Sequence, residues 1–252
     1  MECDVRRVVR AFVVAVAMML PGVVSAAEIK LMCPAPMRTS VVELVAQFEK
    51  ATQHKVNIVH IPSRFIVERV TGGEPVDAVL LTQNAADGLI KAGKPARRVD
   101  YAKSSIGVAV KSGAPKPDVG TADAFKRTML AAKSFARNEG AESGIHVLRV
   151  FEKLGIAEEM KAKTKAMPVN TGYVAQLVAS GEAEIAAQQM PELHAVAGVD
   201  PTPLPAELQL IIPFVVGVSA SPQNAQATEE LVKFLTAPAV ASVLKSKGLN
   251  PP

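Results

Sequence analysis

The fold is decided by residues 28–82, EIKLMCPAPMRTSVVELVAQFEKATQHKVNIVHIPSRFIVERVTGGEPVDAVLLT. Residues 29–33 form a short apolar run and residues 55–60 (KVNIVH) are rich in β-branched side chains, so both segments predict strands. Apolar side chains at helical spacing follow each of them, and residues 78–81 predict a third, buried strand. Strands that alternate with helices indicate an α/β fold with parallel strands and right-handed crossovers.

Two loops of this stretch end in an arginine next to a predicted helix start. They are CPAPMR (33–38), which ends in Arg38, and IPSR (61–64), which contains Ser63 and ends in Arg64. Ligands of open α/β sheets bind where such loops leave the carboxyl ends of the strands. An arginine near a helix N-terminus is opposed by the helix dipole unless an anion balances it. The two loops therefore predict an anion site.

The first 26 residues are typical of a secretory signal peptide. MECDVRRVVR is basic, AFVVAVAMML is apolar, and PGVVSAA supplies small residues for cleavage. The expected location of the mature protein is the periplasm. The chain has two cysteines, and Cys3 leaves with the leader, so Cys33 is predicted to be a buried free thiol and no disulfide is expected.

Composition excludes several functions. The formal net charge is only +4 and the lysines and arginines form no blocks, which argues against nucleic acid as a partner. The chain has no Trp and two Tyr, which argues against a sugar-binding cleft. The four histidines lack the spacing of a zinc site and no nucleotide-binding fingerprint is present, so neither a metal nor a cofactor is expected.

Two proline-rich passages divide the remaining chain. KSGAPKPDVGT (111–121) and PTPLPAEL (201–208) flank a second block of predicted strands and helices. The expected arrangement is a first lobe from 27–110, a second lobe from 111–208, and a return of residues 209–252 to the first lobe. Such a layout suits closure of two lobes over a ligand.

Two further expectations concern the strands that connect these lobes. Residues 97–102 and 106–110 predict two separate strands. Residues 209–220 (QLIIPFVVGVSA) predict a strand that is broken at Pro213.

Several framework segments resemble the type II periplasmic solute-binding proteins of ABC importers, and specifically their molybdate-binding branch. The segments are VVELVAQFEKATQHKVNI (41–58), RVTGGEPVDAVLLT (69–82), an SG–helix–EKLGI run (143–156) and VAQLVASGEAEIA (174–186). The resemblance implies a two-lobe α/β fold in which each lobe is a mostly parallel sheet flanked by helices. It also implies a monomer that delivers a small anion to a membrane permease. The chain is similar as well to aconitate isomerase, an enzyme on the same scaffold.

The resemblance also implies positions for the ligand contacts. Relatives that bind molybdate hold the oxyanion with two serine loops, backbone N–H groups and a tyrosine. The first serine loop corresponds to residues 35–38, which carry no serine here, whereas Ser63 retains the second. Further contacts fall on Ser143 and near Thr171, and the tyrosine position falls on Gln189.

The residues in these places favour an organic di- or tricarboxylate over a bare oxyanion, because arginine forks suit carboxylates. The predicted ligand-binding residues are Arg38, Ser63, Arg64, Arg137, Asn138, Ser143, Asn170, Thr171, Gln188 and Gln189. An isomerase would also need a positioned acid and base. The sequence leaves Glu142, His146, Tyr173 and His60 open for these roles.

Overall fold

The structure is a computed structural model that describes residues 26–169 and 171–252. The predicted signal peptide lies outside the described residues except for Ala26, and so does Asn170. Within the described ranges, no helix is both long and apolar enough to cross a membrane.

The first part of the chain alternates strands and helices as expected. Its elements are β1 (Glu28–Cys33), α1 (Arg38–Thr52), β2 (Lys55–His60), α2 (Ser63–Thr71), β3 (Ala78–Thr82) and α3 (Gln83–Lys91). β1 pairs in parallel with both β2 and β3, so the parallel pairing predicted from residues 28–82 is confirmed.

The remaining elements include one strand of 17 residues, β4 (Pro95–Lys111). After it come α4 (Ala122–Ala131), β5 (Phe135–Glu139), α5 (Glu142–Lys153), α6 (Ala157–Lys163), β6 (Thr164–Pro168), α7 (Ala175–Ala179), β7 (Ile185–Gln189), α8 (Met190–His194) and β8 (Val199–Pro203). The chain ends with β9 (Ile211–Ser219), α9 (Ala225–Leu235) and α10 (Ala241–Ser246).

The strands form a mixed sheet in the order β2-β1-β3-β9-β4-β7-β5-β6, with β8 also paired to β4. β5 pairs in parallel with β6 and β7, whereas β9 is antiparallel to β3 and β4, and β4 is antiparallel to β7 and β8. The elements around β2-β1-β3-β9 are called lobe 1 below, and those around β7-β5-β6 are called lobe 2. The α/β class is confirmed, and antiparallel strands join its two parallel parts.

The break expected between residues 97–102 and 106–110 is absent. Residues 95–105 of β4 pair with β9, and residues 106–111 pair with β7 and β8, so one strand runs through both lobes. Lys103 and Ser105 look polar in sequence, but β9 lies opposite them, and Ser104 between them is fully buried. A non-local partner therefore supplies the pairing that the local pattern does not indicate.

The break expected at Pro213 is also absent. Pro213 lies opposite Lys103 in the antiparallel register. The backbone N–H and C=O of Lys103 bond instead to Asn250, at 2.7 and 2.8 Å. Antiparallel pairs alternate between bonded and non-bonded positions, and proline is tolerated where no backbone donor is needed. β9 therefore continues through Pro213 without losing a hydrogen bond to β4 there.

Aromatic side chains fill the cores of both lobes. In lobe 1, Phe48 of α1 meets Phe234 of α9 with ring centroids 5.6 Å apart. In lobe 2, Phe151 of α5 contacts Phe135 of β5 and Phe125 of α4, at 5.2 and 6.4 Å between centroids. The contact between Phe151 and Phe135 holds α5 against the sheet, and the other two contacts hold neighbouring helices together.

One buried carboxylate ties three segments of lobe 1 together. Asp77, which precedes β3, accepts hydrogen bonds from the backbone N–H groups of Lys30 at 2.7 Å and Gln223 at 2.6 Å. Its own backbone N–H and C=O bond to Lys30 and Ser219. Asp77 thus links β1 and β9 to the segment that leads into α9.

Replacement of Asp77 by Ala should strongly destabilise the protein. It would leave two backbone donors without their acceptor, and we expect a loss of about 3 kcal/mol in the free energy of unfolding. Denaturant unfolding measures the change. Asp118→Ala is the matched control, because the Asp118 side chain is exposed and forms a long, 3.9 Å ion pair with Arg127, while the bond from Thr128 goes to its backbone carbonyl and survives the substitution. Equal stability of the two variants would contradict the role given to Asp77.

Candidate functional site

A cavity of about 880 Å³ lies between the two lobes. Its lobe 1 wall is formed by the loops after β1 and β2, and its lobe 2 wall by the loops after β5 and β6 with the start of α8. Its volume falls in the range typical of small-molecule sites, and its position at strand ends between lobes is where α/β proteins bind ligands.

The first loop places Arg38 at the cavity. A 3-10 turn over Ala35–Met37 starts with a proline in its first turn and leads directly into α1, so that Arg38 is the first residue of that helix. The Ser40 hydroxyl donates to the Met37 carbonyl at 3.0 Å, and Tyr101 donates in turn to Ser40 at 2.9 Å. This buried chain of hydrogen bonds holds the turn, while the Arg38 side chain stays exposed in the wall.

The second loop places Ser63 and Arg64 at the same cavity. Pro62 is the N-cap of α2, so Ser63 is the first helical residue and its hydroxyl does not cap the helix. The Arg64 guanidinium carbon lies 4.6 Å from the centroid of the Phe65 ring, a cation–π distance. Neither Arg38 nor Arg64 forms a salt bridge with any residue that the structure describes.

The lobe 2 wall is held by an amide network. Gln188 Nε2 donates to Asn138 Oδ1 at 2.7 Å, and Gln188 Oε1 accepts from the Val174 backbone N–H at 3.0 Å. The network connects the ends of β5 and β7 to the start of α7. Asn138 lines the cavity, whereas Gln188 is buried behind it.

Buried polar atoms without a hydrogen-bond partner concentrate at this cavity. Among the described residues, three of the six such atoms belong to cavity-lining side chains: His60 Nδ1, Tyr173 Oη and Gln189 Oε1. Two more, Arg137 Nε and Ser143 Oγ, adjoin the wall residues Asn138 and Glu142. Buried polar groups are normally satisfied, so this concentration indicates a place where a ligand supplies the partners.

The protonation states of the wall are set mainly by burial. Burial, and next the positive charge of Arg38, lowers the pKa of His60, so its imidazole is neutral at pH 7. Burial raises the pKa of Tyr173, against the opposing influence of Arg38 across the cavity. Burial also raises the pKa of Glu142, and that of Glu192 to about 8. The carboxyl group of Glu192 is therefore mostly protonated at neutral pH.

The structure places many of the predicted residues at the cavity. The residues that line it are Arg38, Ser63, Arg64, Asn138, Gln189, Glu142, Tyr173 and His60. Arg137, Ser143 and Gln188 lie outside the lining. The Arg137 guanidinium bonds to the Asn138 carbonyl at 3.1 Å, Ser143 is fully buried, and Gln188 belongs to the amide network.

Two further predicted residues, Thr171 and His146, are not part of the cavity lining either. The Thr171 hydroxyl donates to the Pro168 carbonyl at 2.7 Å, and Gly172 lines the wall instead. His146 bonds through Nε2 to the Leu208 carbonyl at 2.8 Å, which directs its ring to the segment before β9. Asn170 lies outside the described residues.

Sequence reasoning missed Glu192, which lies in the first turn of α8 and is only 7% exposed. The available signal was its place three residues after Gln189, at the end of a strand that enters the cleft. Cys33, by contrast, is buried and free as expected, and burial raises the pKa of its thiol.

The start of α5 depends on a glycine. A side chain at Gly144 would place its Cβ 1.9 Å from the Asn138 carbonyl oxygen, which is a backbone atom that cannot rotate away. Gly144 therefore lets the first turn of α5 approach the end of β5, and this contact brings Glu142 and Asn138 to one wall.

Comparison with known proteins agrees with this architecture. Residues 29–250 match the family described as bacterial extracellular solute-binding protein, and the chain belongs to that family. The resemblance noted in the sequence to periplasmic solute-binding proteins is thereby confirmed.

Three particular relatives illustrate the range of the fold. Aconitate isomerase from a Pseudomonas species is 34% identical over 218 residues, which cover 83% of this chain and 82% of that protein. The periplasmic molybdate-binding protein of Azotobacter vinelandii superposes with a TM-score of 0.73 at 18% identity, covering 89% of this chain and 99% of that one. The L-phospholactate-bound structure of PEB3, a Campylobacter jejuni protein, gives a TM-score of 0.67 at 14% identity, covering 89% of this chain and 100% of that one.

Gly144→Ala should destabilise the protein, because the new methyl group collides with the Asn138 backbone. We expect a loss of about 2–4 kcal/mol, as for an overpacked site that must shift backbone. Gly88→Ala is the matched control, since a Cβ at this position in α3 meets nothing within 4 Å. That control should stabilise α3 by up to about 1 kcal/mol. Thermal unfolding of the two variants compares them, and a Gly144→Ala protein as stable as the wild type would refute the contact.

Proposed function

We propose that this protein binds a small organic polycarboxylate, of the tricarboxylate class, in the cavity between its lobes. The observation that carries the proposal is the pair of guanidinium groups at the wall, Arg38 and Arg64, which have no carboxylate partner among the described residues. Guanidinium groups bind carboxylates with two parallel hydrogen bonds, and such charge-assisted bonds are the strong ones.

The other wall groups support the same ligand class. Ser63 starts α2, where backbone donors and the helix dipole favour an anion. Tyr173 offers a buried hydroxyl from lobe 2 and His60 a ring nitrogen from lobe 1, and neither atom has a hydrogen-bond partner among the residues that the structure describes. The aconitate isomerase relative acts on a tricarboxylate, and the PEB3 structure holds another organic acid on this fold.

Contacts from both walls would favour the closed arrangement of the lobes. Arg38, Ser63 and Arg64 act from lobe 1, and Asn138, Tyr173 and Gln189 act from lobe 2. A ligand shifts the equilibrium from the open to the closed arrangement only through the additional contacts that it makes in the closed one. As a monomeric periplasmic receptor, the closed form would deliver its ligand to the membrane permease of an ABC importer.

A panel of ligands tests the binding proposal. The mature protein is scanned by thermal shift against cis-aconitate, trans-aconitate, citrate and tricarballylate, with molybdate, tungstate and sulfate for comparison. A ligand that binds only the folded state raises the melting temperature. We expect an increase with one or more tricarboxylates. An increase with molybdate or tungstate alone would refute the organic-anion proposal.

Calorimetry on variants tests the two arginines. Arg38→Gln and Arg64→Gln should each weaken binding of the tricarboxylate by about 1.5–3 kcal/mol, as for the loss of a charged hydrogen bond. Arg149→Gln is the matched control, because Arg149 is exposed on α5 outside the cavity. If Arg38→Gln binds as tightly as the control variant, Arg38 is not a ligand contact.

Catalysis is a second candidate function, favoured by the 34% identity to aconitate isomerase. Interconversion of cis- and trans-aconitate by a proton shift removes a proton from the methylene carbon and returns one to the vinyl carbon, while the double bond moves between them. The reaction needs a base and an acid but no oxidant. His60, a neutral imidazole on lobe 1, suits the base, and Tyr173 or Glu142 on lobe 2 suits the acid. His146 is directed elsewhere by its bond to Leu208.

Proton NMR in deuterium oxide tests turnover by the purified protein. We expect conversion of trans-aconitate with deuterium incorporated at carbon, and His60→Gln should slow it by about 100-fold or more, as for a lost general base. His194→Gln is the control, because His194 is exposed on α8 outside the cavity. Tight binding without any conversion would identify a receptor and exclude this reaction.

A further inference from the structure

The carboxyl group of Glu192 has surroundings unlike those of a surface glutamate. The residue lies in the first turn of α8, is 7% exposed, and lines the same cavity as Arg38 and Tyr173. It forms no salt bridge with any lysine, arginine or histidine of the described ranges. A buried carboxylate without a cation is costly, and the usual response is to keep the proton.

No described group around α8 is paired with Glu192 as a counter-charge. α8 packs against the turn before α1, β4, β7 and β8. The ionisable groups on or next to these elements, with His194 of α8 itself, are Arg38, Cys33, Tyr173, Arg97, Arg98, Asp100, Tyr101, Lys103, Lys111, Glu184 and Asp200.

Several of these groups are already engaged or face elsewhere. Asp200 accepts hydrogen bonds from Ser112 and Gly113 at the far end of β8. Arg97, Arg98, Asp100 and Lys103 lie in the part of β4 that pairs with β9, and Lys111 is exposed at the end of that strand. Arg38 follows the turn against which α8 packs, but its charge acts on His60 and Tyr173 and is not among the causes of the raised pKa of Glu192.

We infer that Glu192 contributes a protonated carboxyl group to the ligand site, and that this group donates a hydrogen bond to a carboxylate oxygen of the bound anion. The inference rests on the proposed function, since it needs an ionised carboxylate in the cavity. An O–H···O⁻ bond of this kind is short and strong. A Glu192 side chain that had lost its proton would instead repel the anion. The site therefore binds its ligand with Glu192 in the protonated form.

This arrangement makes ligand affinity depend on pH in a definite direction. The pKa of Glu192 is about 8. The binding-competent, protonated form is complete well below that value and is lost as the pH rises through it. In the same interval His60 stays neutral, because its pKa is lowered, and Tyr173 and Cys33 keep their protons, because their pKa values are raised. Between pH 7 and 9, therefore, Glu192 alone among these four groups changes its charge.

Titration calorimetry with trans-aconitate, whose carboxyl groups are all ionised in this range, tests the inference. Affinity of the wild type should fall about tenfold between pH 7 and 9, with close to one proton taken up per ligand at pH 9. Glu192→Gln, which imitates the protonated acid in shape and charge, should bind with nearly the same affinity at both values and take up no proton. Glu152→Gln, an exposed control on α5, should behave as the wild type does. A constant wild-type affinity, or a tenfold fall that persists in Glu192→Gln, would overturn the inference.

A measurement without ligand separates this inference from the proposed function. Carbon-13 NMR of glutamate carboxyl groups, with Glu192→Gln used for assignment, should show one group titrating near pH 8. If no tricarboxylate binds at pH 7, the proposed function fails, but a signal near pH 8 still supports a protonated Glu192. A Glu192 signal that titrates near 4.5, the ordinary value, overturns the inference whether or not a ligand binds.

Discussion

The pairing of β4 with β9 is the constraint on which the remaining structure depends. These two strands run side by side from Pro95 and Ser219 to Ser105 and Ile211, and β4 then continues into lobe 2. The loops that form the cavity walls come from separate parts of the chain, and the shared strand joins them within one sheet. Any closing movement of the lobes would have to bend or twist β4, because this strand runs through both of them.

The sequence was sufficient to predict most individual strands and helices, but not the pairings between strands that are distant in the chain. β2 and β6 have the bounds that their β-branched or flanking residues indicate, and the arginine-ending loops lie at the predicted cleft. Continuity of β4 across Lys103–Ser105 was not predictable, because the pattern there is polar and only β9 makes it a strand. β8 was missed for a similar reason. Its proline-rich sequence indicates a boundary between lobes, but the segment forms a strand because it pairs with β4, where it needs few backbone donors.

The site shows the same division between local and tertiary information. Arg38 and Arg64 were found because their position after a strand is visible in the sequence. Glu192 was not, because a glutamate gives no local sign of being buried, and the lack of a paired cation among the described residues depends on the four elements that surround α8. Tyr173 lines the cavity although the position that resembles the family's tyrosine is Gln189. A tyrosine hydroxyl is thus present on another loop of the same wall, which a position-by-position comparison does not reveal.

The hydrogen bonds between Lys103 and Asn250 have a practical consequence for work with this protein. They place Asn250 against β4, two residues before Pro252. An affinity tag or fluorescent partner fused directly after Pro252 would therefore begin beside β4, the strand that any closure of the lobes would have to bend. Labels intended to report on that movement without disturbing it are better carried on exposed helix surfaces, such as that of α5.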